Sequence, residues 1–162
     1  MSIKPGDTLP EASFLKMGSA GPEEHALSSL TKGRKLVIFG LPGAFSRTCS
    51  ADHLPSFMNN ADAFAAKGVE EIICIAVNDP FVLKAWGEAT GAHEAGLTLL
   101  SDADGEFTRA IGMEFSAPVV GLIGRSKRYA MLVEDGKVSL LLSDDDTTVF
   151  EASSGEKLLE AM

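Results

Sequence analysis

The amino-acid sequence predicts a mixed α/β sandwich, in which a central sheet carries helices on both faces. Two observations predict it. First, two apolar runs, residues 35–40 and 72–77, flank a stretch with helical spacing, an order typical of a βαβ crossover between parallel strands. Second, Asp135-Gly136 lies between two later apolar runs and indicates an antiparallel hairpin. Parallel strands followed by a hairpin give a mixed sheet.

The first strand and the long helix after it are the best-defined elements. Residues 35–40 are apolar and rich in branched side chains, which suits a strand buried on both faces. The turn Gly40-Leu41-Pro42-Gly43 ends the strand. Residues 46–67 then place apolar side chains on one helical face, namely those of Leu54, Phe57, Ala61, Phe64 and Ala65. We expect Pro55 to kink this helix about one turn past Cys49.

The middle of the chain continues the alternation of strand and helix. Residues 72–77 are predicted to form a second buried strand, and Asp79-Pro80 opens a helix as N-cap and first helical residue. The inward face of that helix is predicted to carry Phe81, Ala85 and Trp86. Residues 97–100 indicate a short strand, and residues 106–111 a short helix.

The last third of the chain is predicted to change to antiparallel pairing. Residues 129–133 and 138–142 form the two arms of the hairpin. Residues 143–148 are polar and indicate a solvated loop. Ser153-Ser154-Gly155-Glu156 is a candidate capping box for a terminal helix. Without a repeat or linker, residues 1–162 are expected to form one domain.

Composition and charge exclude several classes of function. Hydrophobic residues make up 45% of the 162 residues, which is enough to bury a core without metal or disulfides. The formal net charge of −9 argues against a nucleic-acid or anionic-membrane partner, since both require a basic face. The three histidines are dispersed and no glycine pattern suits a nucleotide, so neither a metal nor an organic cofactor is expected.

The expected compartment follows from the first residues and from the cysteines. Charged residues at Lys4, Asp7, Glu11 and Lys16 interrupt the first twenty residues, so we expect no secretory signal. No apolar stretch approaches the ~18–20 residues of a membrane span. Two cysteines in such a chain favour a reducing compartment. We therefore expect the cytoplasm, with an organelle as the alternative for a chain whose transit peptide has been removed.

Cys49 is the leading candidate for chemistry. It follows the carboxyl end of the first core strand, where open α/β sheets place their sites. It also lies in the first turn of the long helix, where unpaired N–H groups and the helix dipole favour an anion. The hydroxyls of Ser46 and Thr48 lie within one turn, and His53 follows one turn later, either polarising the site or only packing. By position alone, a buried and inert cysteine is an equal alternative.

The residues around Cys49 narrow that choice. The segment from Pro42 to Cys49 resembles the active-site signature of peroxiredoxins, which is Pro, three residues, Thr or Ser, two residues and Cys. Residues 40–45, 53–57, 77–86 and 125–130 are similar, in the same order, to the type II (atypical) subgroup. The resemblance implies a thioredoxin-like fold and a thiol-dependent peroxidase.

The resemblance also implies a role for each matching residue. Cys49 would be the peroxidatic nucleophile and would become a sulfenic acid. Pro42 would shield its sulfur, and the hydroxyl of Ser46 would hydrogen-bond the peroxide. Arg125 would donate to both thiolate and substrate, while Arg128, at the start of a strand, is the competing guanidinium with a position typical of a structural role. No cofactor would be required.

Cys74 has two interpretations. In plant members of the subgroup, a cysteine in the equivalent strand resolves the sulfenic acid as a disulfide, and the resemblance makes Cys74 a candidate for that role. However, Cys74 is predicted to lie within a buried central strand, and a disulfide needs Cα atoms within ~7 Å. Bridging to Cys49 would require the first helical turn to unwind. The other interpretation is a small core residue.

The predicted function is the reduction of hydrogen peroxide and alkyl hydroperoxides with electrons from glutaredoxin and glutathione, or from thioredoxin. The resemblance further implies a homodimer, with Phe81 and Trp86 as candidate interface residues. Two alternatives stay open. A thioredoxin-like disulfide oxidoreductase normally uses Cys-x-x-Cys, whose first cysteine is replaced here by Ser46. A non-catalytic redox sensor would use Cys49 only to report oxidation to a partner.

Overall fold

The structure, a computed structural model, describes residues 2–144 and 150–162. Its strands are β1 (Ser13–Gly18), β2 (Gly21–Ala26), β3 (Lys35–Gly40), β4 (Glu71–Ala76), β5 (Thr98–Ser101), β6 (Glu114–Ala117), β7 (Leu122–Ser126), β8 (Arg128–Glu134) and β9 (Lys137–Asp144). Seven of them form one sheet in the order β2-β1-β5-β4-β3-β8-β9, and β6 pairs with β7 separately. Within the large sheet, β3, β4 and β5 are parallel, and the remaining pairs are antiparallel. The predicted mixed sheet is confirmed.

Helices cover both faces of this sheet. They are α1 (Leu27–Thr31), α2 (Leu54–Met58), α3 (Ala61–Ala66), α4 (Pro80–Thr90), α5 (Glu106–Ala110) and α6 (Gly155–Ala161). One core cluster contains side chains of α2, α3, α4 and α6, and the other contains side chains of α1 and α5. Because both faces are covered, β3 and β4 are apolar along almost their whole length and their side chains are buried.

The hairpin between β8 and β9 forms where it was predicted. Its two turn residues, Asp135 and Gly136, have φ angles of 50° and 78°. Two successive positive φ angles are what a two-residue turn of type I′ requires, and Asp-Gly is a favoured pair for it. The short helix after β5 and the Asp79 cap of α4, which accepts from the Val82 N–H, are also as predicted.

The long helix predicted over residues 46–67 is instead divided into three parts. A π-helical turn, Cys49–His53, precedes α2, and a turn at residues 59–60 separates α2 from α3. In the π-helical turn, the Leu54 N–H donates to the carbonyl of Cys49, five residues earlier. Pro55 has no N–H with which to continue the regular pattern. The irregularity therefore includes Cys49 itself rather than lying one turn beyond it.

The buried face of α4 differs from the prediction. Leu83, Trp86 and Gly87 are buried, whereas Phe81 is 62% exposed and Ala85 is also exposed. Positions i, i+3 and i+4 share a helical face, so burial of Leu83 turns Phe81 and Ala85 outward. The prediction was right for Trp86, whose indole N–H donates to Ser50 Oγ at 2.9 Å.

The C-terminal helix begins one residue later than a capping box at Ser153 requires. Ser154 is the N-cap, and its Oγ accepts from the Lys157 N–H. Ser153 is buried and donates its hydroxyl to Asp144. Of the predicted polar loop, residues 143 and 144 belong to β9, and residues 145–148 lie outside the described part of the chain.

Candidate active site

Cys49 lies beyond the carboxyl end of β3, in the π-helical turn that precedes α2. The helical conformation begins at Arg47, and the Ser50 N–H makes an early helical bond to the Ser46 carbonyl at 3.0 Å. Cys49 therefore lies in the first helical turn, as the sequence indicates. Its side chain is fully buried and forms no disulfide.

Arg128 is the guanidinium that reaches this sulfur. Its Nη1 lies 3.2 Å from Cys49 Sγ and 3.3 Å from His53 Nδ1, and the residue is 3% exposed. Arg128 is the first residue of β8, which runs antiparallel to β3 with Tyr129 opposite Gly40. The start of β8 is thus level with the end of β3, which brings Arg128 to the helix that carries Cys49.

Arg125 occupies a different position, and the predicted pairing of its guanidinium with Cys49 is corrected. It lies on β7 opposite Phe115, in the two-stranded sheet, and its Nη1 donates to the Pro42 carbonyl at 3.3 Å. A Cβ at Gly43 would lie 2.6 Å from this Nη1, so glycine leaves room for the side chain. Arg125 therefore contacts the loop before Cys49, and within residues 2–144 and 150–162 no hydrogen bond joins it to the sulfur.

The loop before Cys49 is held in place by burial and by hydrogen bonds. Pro42 is buried, Ser46 Oγ donates to the Gly43 carbonyl at 2.8 Å, and the Ala44 N–H donates to Asn78 Oδ1 at 2.9 Å. Phe45 has a φ of 62°, a conformation that a bulky residue rarely adopts without support from its surroundings. The Ser46 hydroxyl is thus held by a carbonyl of its own loop, three residues before Cys49 in the chain.

His53 is the site residue whose role the sequence left open. It is fully buried, and its Nε2 donates to the Ser153 carbonyl at 3.0 Å while Nδ1 faces Arg128. Burial, and then the positive charge of Arg128, lower the pKa of His53 from 6.5 to about 3. The imidazole is therefore neutral near pH 7. The sequence signal for it was its position one helical turn after Cys49.

This neutral histidine should make stability depend on pH. In the unfolded chain it binds a proton below pH 6.5, but in the folded chain only near pH 3, so stability is lost as the pH falls through that window. We expect the free energy of unfolding to be about 2 kcal/mol lower at pH 5 than at pH 7. Denaturant titrations at the two pH values measure it. The variant His53→Asn should lack this dependence, and an equal loss in both proteins would contradict the assignment.

Cys74 belongs to the same core cluster as Cys49 but lies within the sheet. It stands opposite Phe39 on β3 and is 1% exposed. Burial raises its pKa well above the usual value, and the nearby Cys49 raises it further. A thiol held in this way is protonated and sterically enclosed.

Among residues 2–144 and 150–162, no group of three or more His, Cys, Asp or Glu side chains is placed to hold a metal ion. In the same residues, no helix is long and apolar enough to cross a bilayer.

Known proteins with similar sequences and structures give a consistent result. The model of the family described as Redoxin matches residues 4–159. The chain is 44% identical over 165 residues to "Peroxiredoxin-2E-2, chloroplastic" of Oryza sativa subsp. japonica, covering 99% of this chain and 73% of the rice protein. It is 38% identical to "Peroxiredoxin-2B" of Arabidopsis thaliana over 161 residues, covering 99% and 98%.

A solved structure is similar over nearly the whole chain. It is that of reduced Prx3 from Vibrio vulnificus in complex with H₂O₂, with 41% identity, a TM-score of 0.90 and 98% of both chains covered. The likeness therefore includes the sheet, the helices on both faces and the segment that carries Cys49.

Proposed function

Because the chain belongs to the peroxiredoxin family of thiol-dependent peroxidases, we propose that Cys49 is its peroxidatic cysteine and that it reduces hydrogen peroxide and alkyl hydroperoxides. One observation carries the assignment of the site. The sulfur lies in the first helical turn with a guanidinium nitrogen of Arg128 at 3.2 Å. The structure of the Vibrio relative with H₂O₂ supports the choice of substrate.

The proposed reaction is a displacement at oxygen. The Cys49 thiolate attacks the terminal peroxide oxygen, an S–O bond forms, and the O–O bond breaks. The sulfur loses two electrons to the peroxide, and the departing hydroxide or alkoxide takes a proton to become water or alcohol. Charge-assisted donors aimed at the reacting atoms are the principal help that a protein can give.

The residues around Cys49 are proposed to have separate roles in this reaction. Arg128 donates to the sulfur, and it is proposed to donate to the peroxide oxygens as well. Ser46 supplies a hydroxyl that hydrogen-bonds the peroxide, and Pro42 shields the sulfur from bulk water. Arg125 steadies the loop through the Pro42 carbonyl, which replaces its predicted role at the sulfur. Neither metal nor organic cofactor takes part in the proposed chemistry.

The reductant is proposed to be glutaredoxin with glutathione, and thioredoxin is the alternative. The test compares steady-state peroxide consumption with dithiothreitol, with thioredoxin and its reductase, and with glutathione plus glutaredoxin. Cys49→Ser is the matched control in every assay. Turnover with at least one thiol donor supports the peroxidase. Oxidation of Cys49 without turnover would instead favour the redox sensor.

The position of Cys74 favours a core role and direct attack of an external thiol on the Cys49 sulfenic acid. We expect Cys74→Ser to keep its turnover with glutathione and glutaredoxin, and to lose ~1–3 kcal/mol of stability through a buried hydroxyl. Turnover assays and denaturant titration measure the two effects. Mass spectrometry showing a quantitative Cys49–Cys74 disulfide after peroxide treatment, with turnover lost in the variant, would make Cys74 the resolving cysteine.

A homodimer is proposed because exposed apolar side chains lie on the loop before Cys49 and on the segments whose residues bind that loop. Phe45 lies on the loop before Cys49. Phe81 lies three residues after Asn78, whose side chain accepts a hydrogen bond from that loop. Ile123 lies two residues before Arg125, which donates to the same loop. These three side chains are 57%, 62% and 69% exposed. Trp86 is buried within its own subunit, so it is removed from the predicted interface.

Sedimentation at micromolar concentration should therefore show a species of twice the 17.1 kDa chain mass. We expect Phe81→Asp to shift it towards the monomer, because a charge would be buried at the interface. Ala89→Asp, at an exposed position two turns further along α4, is the control and should leave the dimer intact. A wild-type protein that sediments as a monomer would contradict the proposal.

The compartment and the domain count are proposals as well. Relatives of the chain include chloroplastic and mitochondrial proteins. We propose the cytoplasm, with an organelle as the alternative, and imaging of a tagged chain in its own cells tests this. One domain over residues 1–162 is supported by the large sheet, to which both the first and last thirds of the chain contribute strands.

A further inference from the structure

A buried series of polar contacts runs from Cys49 to the start of the C-terminal helix. Arg128 Nη1 contacts both Cys49 Sγ and His53 Nδ1, at 3.2 and 3.3 Å. On the other side of the ring, His53 Nε2 donates to the Ser153 carbonyl at 3.0 Å. Asp144 in turn accepts from Ser153. Two of these residues lie about a hundred positions from Cys49, so only the fold brings them together.

We propose that His53 is a positioning residue, which holds the guanidinium of Arg128 against Cys49, and that Ser153 and Asp144 hold His53 in turn. The inference rests on the proposed function, since it assigns a task within the same site. Within residues 2–144 and 150–162, the hydrogen bonds of the His53 ring go to Arg128 and Ser153, and none joins the ring to the Cys49 sulfur.

The Ser153 carbonyl determines which ring nitrogen of His53 carries the proton. A carbonyl oxygen only accepts hydrogen bonds, so Nε2 must be the donor. In a neutral imidazole, Nδ1 is then a lone-pair acceptor, and this tautomer is the one that can accept an N–H from Arg128. The Ser153 carbonyl thus makes Nδ1 of His53 the hydrogen-bond acceptor for the guanidinium of Arg128.

The ring must also be neutral and fixed in orientation. A second proton would place an N–H of His53 against an N–H of Arg128, and burial with that positive charge lowers the pKa of His53 to about 3. The ring packs against Phe39, Phe57 and Phe150, with centroid distances of 5.3, 5.7 and 5.1 Å. The imidazole is therefore enclosed by aromatic side chains and cannot turn freely.

Asp144 completes the arrangement from the end of β9. Its carboxylate accepts from the N–H groups of Ala152 and Ser153 at 2.8 and 3.0 Å, from that of Glu151 at 3.4 Å, and from the Ser153 hydroxyl. Burial alone would raise the pKa of Asp144, but these hydrogen bonds together lower it below its usual value. The ionised carboxylate fixes the turn before α6, and with it the Ser153 carbonyl. In the described part of the chain, the charged groups that act on His53 are Arg128, which lowers its pKa, and Asp144, which raises it.

Two substitutions separate positioning from mere packing. In His53→Asn, the amide oxygen can take the place of Nδ1 and accept from Arg128, whereas the bond to Ser153 is lost. In His53→Gln, the longer side chain can place its amide N–H near the Ser153 carbonyl, whereas the acceptor for Arg128 is lost. Each variant removes one of the two buried hydrogen bonds of His53. If His53 had only a structural role, both variants should therefore lose reactivity to a similar extent.

We expect His53→Gln to react with hydrogen peroxide at least tenfold more slowly than wild type, and His53→Asn to stay within about threefold. Stopped-flow kinetics measure the rates, and alkylation of Cys49 by iodoacetamide across a pH series provides a readout without peroxide. The alkylation profile should move to higher pH in the glutamine variant alone. Equal slowing in both variants, or a glutamine variant as fast as wild type, would overturn the proposal.

The outcomes also distinguish this inference from the proposed function. If wild type consumes no peroxide, the peroxidase assignment fails, while the alkylation series still tests whether His53 positions Arg128. If neither His53 variant folds, Asp144→Asn is measured instead. It weakens the hydrogen bonds that hold Ser153, and through the Ser153 carbonyl it weakens the hold on His53. That variant should slow the peroxide reaction severalfold and shift the alkylation profile. An unchanged rate and profile would overturn the positioning role.

Discussion

Replacing Cys49 with serine is expected to abolish peroxide reduction and leave the fold intact. The serine hydroxyl is a far weaker nucleophile than a thiolate, and it cannot form the sulfenic acid on which turnover depends. The change is nearly isosteric, and the serine hydroxyl can still accept from Arg128 Nη1. Peroxide consumption with a thiol donor measures the activity, and circular dichroism with denaturant titration measures the fold.

Cys74→Ser is the matched control for that experiment, since it makes the same chemical change in the other cysteine. It should retain activity while Cys49→Ser loses it. If Cys49→Ser kept a substantial share of the wild-type rate, the nucleophile would have been misassigned.

Arg128→Lys is expected to slow the reaction with hydrogen peroxide by at least tenfold. Lysine keeps the positive charge but loses the planar donors with which Arg128 contacts both Cys49 and His53. A hydrogen bond to a charged group contributes ~1.5–3 kcal/mol, which corresponds to a change in rate of about 10- to 150-fold. Stopped-flow kinetics under pseudo-first-order conditions measure the change.

Arg125→Lys is the control for this prediction. It removes a bond to the Pro42 carbonyl, on the loop rather than at the sulfur, so we expect a change of about threefold or less. A larger loss in Arg125→Lys than in Arg128→Lys would restore the pairing that the sequence suggested.

Much of the fold could be predicted because its central strands carry strong signals. β3 and β4 are covered on both faces and are therefore apolar after their first residue, and the β8–β9 turn needs two residues that tolerate positive φ. The β1–β2 hairpin was missed for the opposite reason. β2 lies at the edge of the sheet, and its sequence Gly-Pro-Glu-Glu-His-Ala has almost no apolar side chain to reveal a buried face.

Part of the site could be predicted and part could not. Cys49, Ser46 and Pro42 share one short segment, so local sequence places them together. The choice between Arg125 and Arg128 depends on where β7 ends and β8 begins, and the two residues are separated by only Ser126 and Lys127. Since β8 is antiparallel to β3, its first residue reaches Cys49, and only the strand register shows this.

The roles of His53, Ser153 and Asp144 depend on contacts between distant parts of the chain. His53 is near Cys49 in sequence, but the carbonyl that sets its tautomer is a hundred residues away. The hydrogen bonds that hold that carbonyl come from the end of β9. No local pattern encodes such a set, because each member is an ordinary polar residue in its own segment.

The assignment of Cys49 as the peroxidatic cysteine is tested most directly by identifying the atom that one molecule of peroxide oxidises. Fully reduced protein is mixed with one equivalent of hydrogen peroxide, trapped at once with dimedone and analysed by peptide mass spectrometry. We expect one peroxide to be consumed per chain and a single dimedone adduct on the peptide that contains Cys49. An adduct on the Cys74 peptide, or oxidation confined to methionines while Cys49 stays reduced, would contradict it.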